Sequence, residues 1–190
     1  MILTQNEYYN ELFENKTATS LSSIEFDNCT FKNCIFNEST IEFCKFIDCV
    51  FEECDLSLIK IKNSTFIDIS IKESKAIGIN WALSLLPFSA NFYNSNISMS
   101  SFYQLDLRNS EIISCKSHEV DYAHTNLEKA NFKDTDLLNS TFNNTNLKNT
   151  DLSHAINYMI NPKYNTIKAT KVSLPEATSF LKFLDLKIVE

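Results

Sequence analysis

The chain has 190 residues, 44% of them hydrophobic and 22% charged, with a formal net charge of −7 and a single glycine, Gly78. That length supports a full core, whereas one glycine excludes the P-loop, the dinucleotide fingerprint and the nucleophile elbow, each of which needs two or more at fixed offsets. The acidic balance argues against direct nucleic-acid binding, which needs a basic stripe to displace counterions.

Residues 1–18 open with Thr4 and Glu7 at capping-box spacing. Tyr8, Leu12 and Phe13 then fall on one face of a short helix, expected as an N-terminal cap over the first repeats. No basic and apolar leader precedes it, and no run of 18 apolar residues occurs. The expectation is a cytoplasmic chain with no membrane contact.

From Leu21 every fifth residue is apolar: Leu21, Phe26, Phe31, Phe36, Ile41, Phe46, Phe51, Leu56, Ile61, Phe66 and Ile71. Composition alone would give such a run roughly once in ten thousand trials, and its period matches neither helix nor strand. Two residues before most of the centres along the repeat lies a small residue, such as Cys29, Cys34, Ser39, Cys44, Cys49, Cys54 and Ser64, and all six cysteines fall in that slot. Each pentad thus offers one large and one small residue to an interior. The period fades through Ala76, Trp81 and Leu86, where Gly78, the only tryptophan and Pro87 cluster. Leu85, Leu86, Pro87 and Phe88 are read as a small loop or one-residue insertion within 83–91, a candidate recognition element on a rigid scaffold.

The period resumes one residue out of phase at Phe92 and runs to Leu152, broken only by Ser117. A chain that turns a corner every five residues closes a square in four pentads and stacks as a solenoid. The repeat, bounded at 19–157, gives 27 pentads, about 6.75 coils and a rod roughly 32 Å long at ~4.8 Å per coil. Phe26, Phe46 and Phe66 form one interior ladder, and Phe31, Phe51 and Ile71 another. Asparagine, 22 residues of it, is suited to the bends.

Residues 158–190 leave the period. Ser173 is placed to cap a helix with Pro175 in its first turn. Ala177, Phe180, Leu181 and Leu184 line one face, and Ile188 and Val189 end an apolar tail. That face can close the last coil or pack on a second copy.

Little in the sequence carries chemistry. A Cys-x4-Cys interval puts successive cysteines on different walls, and Cys115 points inward where His118 points outward, so neither holds a metal. No Ser–His–Asp set stands out. The expectation is no catalysis, no metal and no cofactor, with the cysteines as buried reduced thiols.

Stretches such as Thr125-Asn126-Leu127-Glu128-Lys129, Ala130-Asn131-Phe132-Lys133-Asp134 and Thr150-Asp151-Leu152-Ser153-His154 resemble the pentapeptide-repeat family, consensus A(D/N)LXX. The resemblance implies an all-β solenoid, a right-handed quadrilateral β-helix. The order of repeat, linker with Asn161-Pro162, helix and apolar tail is similar to the bacterial topoisomerase-protecting members, the Qnr-like and microcin-immunity proteins. It implies a homodimer joined by the tail, through Phe180, Leu181, Leu184, Ile188 and Val189. It also implies a DNA mimic that binds gyrase or another type II topoisomerase and shields it from inhibitors. In the coil register Asp48 stacks over Asp68 and Glu53 over Glu73, an acidic surface suited to that role. The alternative is a general repeat scaffold with another protein partner, whose outward charges merely keep it soluble.

Overall fold

The computed structural model describes residues 5–184, and they form a four-walled β-solenoid of parallel coils. The first wall stacks Glu7–Tyr9, Glu25–Asp27, Lys45–Ile47 and Thr65–Ile67. The second stacks Leu12–Glu14, Thr30–Lys32, Val50–Glu52, Ile69–Lys72, Ala90–Tyr93 and Ile112–Ile113. It continues through Asn131 to the paired strands Asp151–Leu152 and Lys171–Val172. The third wall is a column of single bridges from Thr17 to Ile156, and the fourth stacks Ser20–Ser22, Thr40–Glu42 and Lys60–Lys62. Where the pairing offset is 20 residues, each pentad centre lies above the one four pentads earlier, so those ladders follow directly from the period.

Those ladders are the core. Phe26, Phe46 and Phe66 stack at 5.0 and 5.1 Å between ring centroids, and Phe31 lies 4.8 Å from Phe51. Burying each ring contributes about 1.5–3 kcal/mol, and each stacked pair adds roughly 0.5–1.5 kcal/mol. Ser117, the one polar centre, is buried with its hydroxyl 3.0 Å from the Tyr122 hydroxyl on the next wall.

The corners resolve how a chain with one glycine turns so often. The residue two after nearly every centre has positive φ, between 45° and 62° for non-glycine residues. Asparagine holds many of these stations (Asn10, Asn15, Asn28, Asn33, Asn63), but Phe43, Leu58 and Met99 hold others. The next residue is the small slot, which is also a donor. The Cys49 and Cys54 thiols point at the Phe26 and Phe31 carbonyls, while the Thr125 and Thr150 hydroxyls donate to the Phe102 and Leu127 carbonyls at 2.8 and 2.7 Å. Cys, Ser and Thr therefore recur because a corner carbonyl needs a short X–H group. In the later coils the Asp or Asn before the centre accepts from the N–H two residues on, as Asp121 does from Ala123 and Asn126 from Glu128. This Asx turn is the physical content of the D/N position in the repeat.

Three expectations need correction. Tyr8 and Phe13 are not on a helix: they are centres of a complete first coil, whose strands Glu7–Tyr9 and Leu12–Glu14 pair at an offset of 18. Leu12 points outward, and Thr4 lies outside the described residues. The repeat also continues past 157, because Thr166 bridges Asn146 and Val172 pairs with Leu152. The second wall thus has nine layers from Phe13 to Val172, about 38 Å at ~4.8 Å per step rather than 32 Å. Finally, the C-terminal helix Glu176–Phe183 is a 3-10 helix without a side-chain cap, and the Ser173 hydroxyl instead accepts from the His154 N–H at 2.9 Å.

Candidate protein-docking surface

Asp48 and Asp68 occupy the corner between the first and second walls, one coil apart, at φ 51° each. Glu53 and Glu73 occupy the next corner, at φ 54° and 48°. The positive φ turns all four side chains out to solvent. Asp68 also accepts from the Ser89 hydroxyl at 2.8 Å, while its own N–H donates to that oxygen at 2.7 Å. The four acids therefore bracket the second wall from both edges.

On the flat walls the charges alternate instead. The outer column Glu14, Lys32, Glu52, Lys72 runs up the second wall. Lys32 pairs with Glu52 at 3.1 Å, and the Lys72 ammonium lies 6.0 Å from the Tyr93 ring centroid. Lys45 pairs with Glu25 at 3.0 Å and Lys148 with Glu128 at 2.9 Å on the first-wall side. The Lys148 ammonium holds Glu128 below the usual carboxylate range, as Arg108 does Asp106. Lys60 and Lys62 sit on the fourth wall, opposite the acidic corners. Charge thus alternates in sign up the second wall, whereas like charges are stacked at its two edges.

The interruption is one added residue. Thr65 still bridges Leu85 at an offset of 20, whereas Ile71 pairs with Phe92 and Asn80 with Ser101 at 21. Ala76 and Trp81 remain buried centres. Leu86 does not: it is 74% exposed, and Phe88 replaces it inside, 5.5 Å from Trp81 and 6.4 Å from Phe102. Leu83, Leu85, Leu86 and Pro87 form a small exposed apolar ridge, which shares a shallow concavity with Asp106 and Arg108.

At the tail, Phe180 is spent within its own chain, 5.8 Å from the Tyr158 ring and packed on the core. Leu184 and Leu174 are exposed and Leu181 is half-buried. Ile188 and Val189 lie outside the described residues. The cysteines are free and buried, and burial pushes the Cys49 thiol up to about 12 and the Cys115 thiol to about 11. These two sulfurs pack and bond carbonyls; they are not thiolate nucleophiles at neutral pH. His118 faces Asp136 at 2.7 Å, away from Cys115. Among the described residues no group of three or more His, Cys, Asp or Glu is placed to hold a metal ion, and no helix is long and apolar enough to cross a membrane.

Five-residue sides, parallel coil pairing and corner slots define the pentapeptide-repeat β-helix as the class of this fold. Residues 123–156 match the sequence profile of pentapeptide repeats in eight copies. No curated protein matches the sequence significantly. Among solved structures, a trypsin-treated variant of QnrB1, described as a plasmid-mediated fluoroquinolone resistance protein, matches with a TM-score of 0.59 at 16% identity, covering 98% of this chain and all of that one. Full-length QnrB1 matches with a TM-score of 0.50 at 15% identity, over 95% of this chain and 100% of the other. At such identities the likeness is one of fold.

Proposed function

We propose that this chain is a non-enzymatic docking rod that engages the DNA-binding surface of a type II topoisomerase as a duplex mimic and so protects the enzyme from inhibitors. The observation that supports it is the pair of acidic corners, Asp48 over Asp68 and Glu53 over Glu73, beside a wall where Glu14, Lys32, Glu52 and Lys72 alternate in sign. A cationic groove shaped for phosphates attracts such edges over a Debye length of ~8 Å at physiological salt. The fold likeness to QnrB1 suits the same reading. The test is a gyrase supercoiling assay with the purified chain, with and without a fluoroquinolone. The expected result is altered supercoiling or restored activity in the drug arm, weakened by the fourfold variant Asp48→Asn, Asp68→Asn, Glu53→Gln, Glu73→Gln. Unchanged activity in both arms at micromolar protein refutes it.

A second reading, a scaffold for a different protein, draws on the alternating wall charges, which resemble an ordinary soluble surface. Retention of another partner by the wild-type chain, with gyrase unaffected, is the result that selects it.

A further inference from the structure

Phe43, Leu58 and Met99 hold corner stations at positive φ, a conformation that bulky apolar residues rarely adopt, and each is more than half exposed. All three flank the fourth wall. Phe43 stands where that wall passes into the first, and Leu58 and Met99 stand where the third wall passes into it. The two corners that bracket the second wall carry no large apolar residue at positive φ among the described residues; Asn, Asp, Glu, Lys, Ser, His and Ala hold those stations. Exposed apolar groups thus gather on the side of the rod turned away from the acidic edges.

Between its two apolar corners the fourth wall is regular. The strands Thr40–Glu42 and Lys60–Lys62 lead into a column of bridges from Asn80 through Ser101 and Asp121 to Thr141. Trp81, Phe102, Tyr122 and Phe142 stack behind it and hold the layers in register. Lys60 and Lys62 form no ion pair among the described residues, and neither do Glu119 and Asp121, three layers further along. Two layers lie between these charges. The Trp81 layer carries the small residues Gly78 and Ala82, and the Phe102 layer carries the exposed side chains of Met99 and Tyr103.

That order is complementary to itself. A two-fold axis lying across the wall, between the Trp81 and Phe102 layers, sets a second copy face to face and antiparallel. Met99 then meets the second copy's Gly78, Tyr103 meets its Ala82, and Lys60 meets its Asp121, each of them twice. Leu58 already lies over Gly78, so close that a Cβ there would fall 2.6 Å from its Cδ2 atom, and it gives the incoming Met99 an apolar seat. A parallel pair, with the axis along the rod, would instead set Lys60 against the second copy's Lys62, which is repulsive. We propose that the fourth wall is a self-association face, on which a second copy of this chain docks antiparallel. Six layers at ~4.8 Å and a five-residue side at ~3.3 Å per residue give a face of about 29 by 16 Å. Two copies then bury roughly 900 Å², the size of a weak, reversible contact. Both acidic edges stay open in this pair, so the inference is independent of topoisomerase binding, and the face is separate from the tail.

The test uses the full chain carrying Leu181→Asp and Leu184→Asp, so that the tail does not contribute. Sedimentation velocity from about 10 µM to about 1 mM should show monomers passing reversibly into dimers, with Kd on the order of hundreds of micromolar. Added salt should weaken the pair, since Lys60 meets Asp121 at its rim. Lys60→Glu and Asp121→Lys should each raise Kd at least tenfold. An equimolar mixture of the two should restore dimers, because a mixed antiparallel pair sets opposite charges against each other at both contacts. Asp121 also accepts from the Ala123 N–H at 2.9 Å. Asp121→Asn keeps that turn, and its weaker dimer isolates the charge effect if the lysine variant loses stability. A chain monomeric up to about 1 mM overturns the inference. So do dimers that survive both charge variants, a mixture that stays monomeric, or binding to anionic lipid vesicles without self-association.

Discussion

Replacing the only glycine tests the account of the corners. Gly78 has φ +67° at the corner between the third and fourth walls, where Glu38, Leu58, Met99, Glu119 and Asn139 have φ 57–59°. The backbone there does not require glycine, because five side-chain-bearing residues adopt the same conformation. Gly78→Ala brings about 1–2 kcal/mol of left-handed strain, offset by roughly 0.4–1 kcal/mol from the stiffer unfolded chain. The added Cβ would also lie 2.6 Å from the Leu58 Cδ2 atom, with Cγ at 3.8 Å. Leu58 is half exposed and can swing away, at about 0.5–1.5 kcal/mol if it leaves its rotamer. The expected net loss is about 1–2 kcal/mol.

Urea unfolding of wild type, Gly78→Ala, Leu58→Ala and the double variant measures it. The Leu58→Ala background should relieve about 0.5–1 kcal/mol of the loss, a coupling that a double-mutant cycle resolves. A loss above about 3 kcal/mol would mean that the corner does need glycine, against the values seen at five sister corners. Zero coupling would mean that Leu58 does not restrict this site, and would refute the packing argument.

Two further outcomes are expected. The paired substitution Leu181→Asp and Leu184→Asp should convert a tail-linked dimer to monomers by light scattering, with Phe180 left in place because it packs on Tyr158; an unchanged mass rules out this interface. Stability should fall on acidification. Burial alone would raise Asp136, but hydrogen bonds from Asn157 and His118 overturn this and hold it below the usual range; for Asp151, Ser153 and Lys171 do the same. A carboxyl depressed in the folded state contributes stability that is full above its unfolded value of ~3.9 and is lost as pH falls through the folded one. The urea midpoint should therefore drop below about pH 4, and less steeply in Asp136→Asn; a flat profile from pH 5 to 3 contradicts the assignment.

The central coils were readable because the signal was redundant: ladder, slot and outward positions all repeated together. The ends were not, and each for a definite reason. Tyr8, Phe13 and Ala18 keep the five-residue spacing, but the step from Ala18 to Leu21 is three positions, and that two-residue deletion hides the first coil from a phase count. The capping-box spacing of Thr4 and Glu7 is a local signal. Pairing of Glu7–Tyr9 along Glu25–Asp27, a long-range one, outweighs it. Ile167 and Val172 likewise sit twenty residues after Leu147 and Leu152, a signal masked by the irregular stretch at 157–162. The repeat profile finds only 123–156, where small-(D/N)-apolar pentads with Asx turns run most regularly; earlier coils reach the same path with thiol donors and extended strands.

The charge pattern carries the functional argument furthest. In a solenoid each outward side chain has neighbours twenty residues away on either side, at ~4.8 Å between backbones. Opposite charges in a column then stabilise, and like charges directly stacked destabilise by roughly 0.2–1 kcal/mol. Glu14, Lys32, Glu52 and Lys72 follow the favourable rule. Asp48 over Asp68 and Glu53 over Glu73 break it at two adjacent corners, where asparagine would suit the positive φ better. A sequence selected for stability alone would not keep them. Neutralising these four acids should therefore raise the urea midpoint while weakening protection of gyrase, opposite signs in two assays. If both measures rise together, or protection is untouched, the acidic corners are not the docking edge.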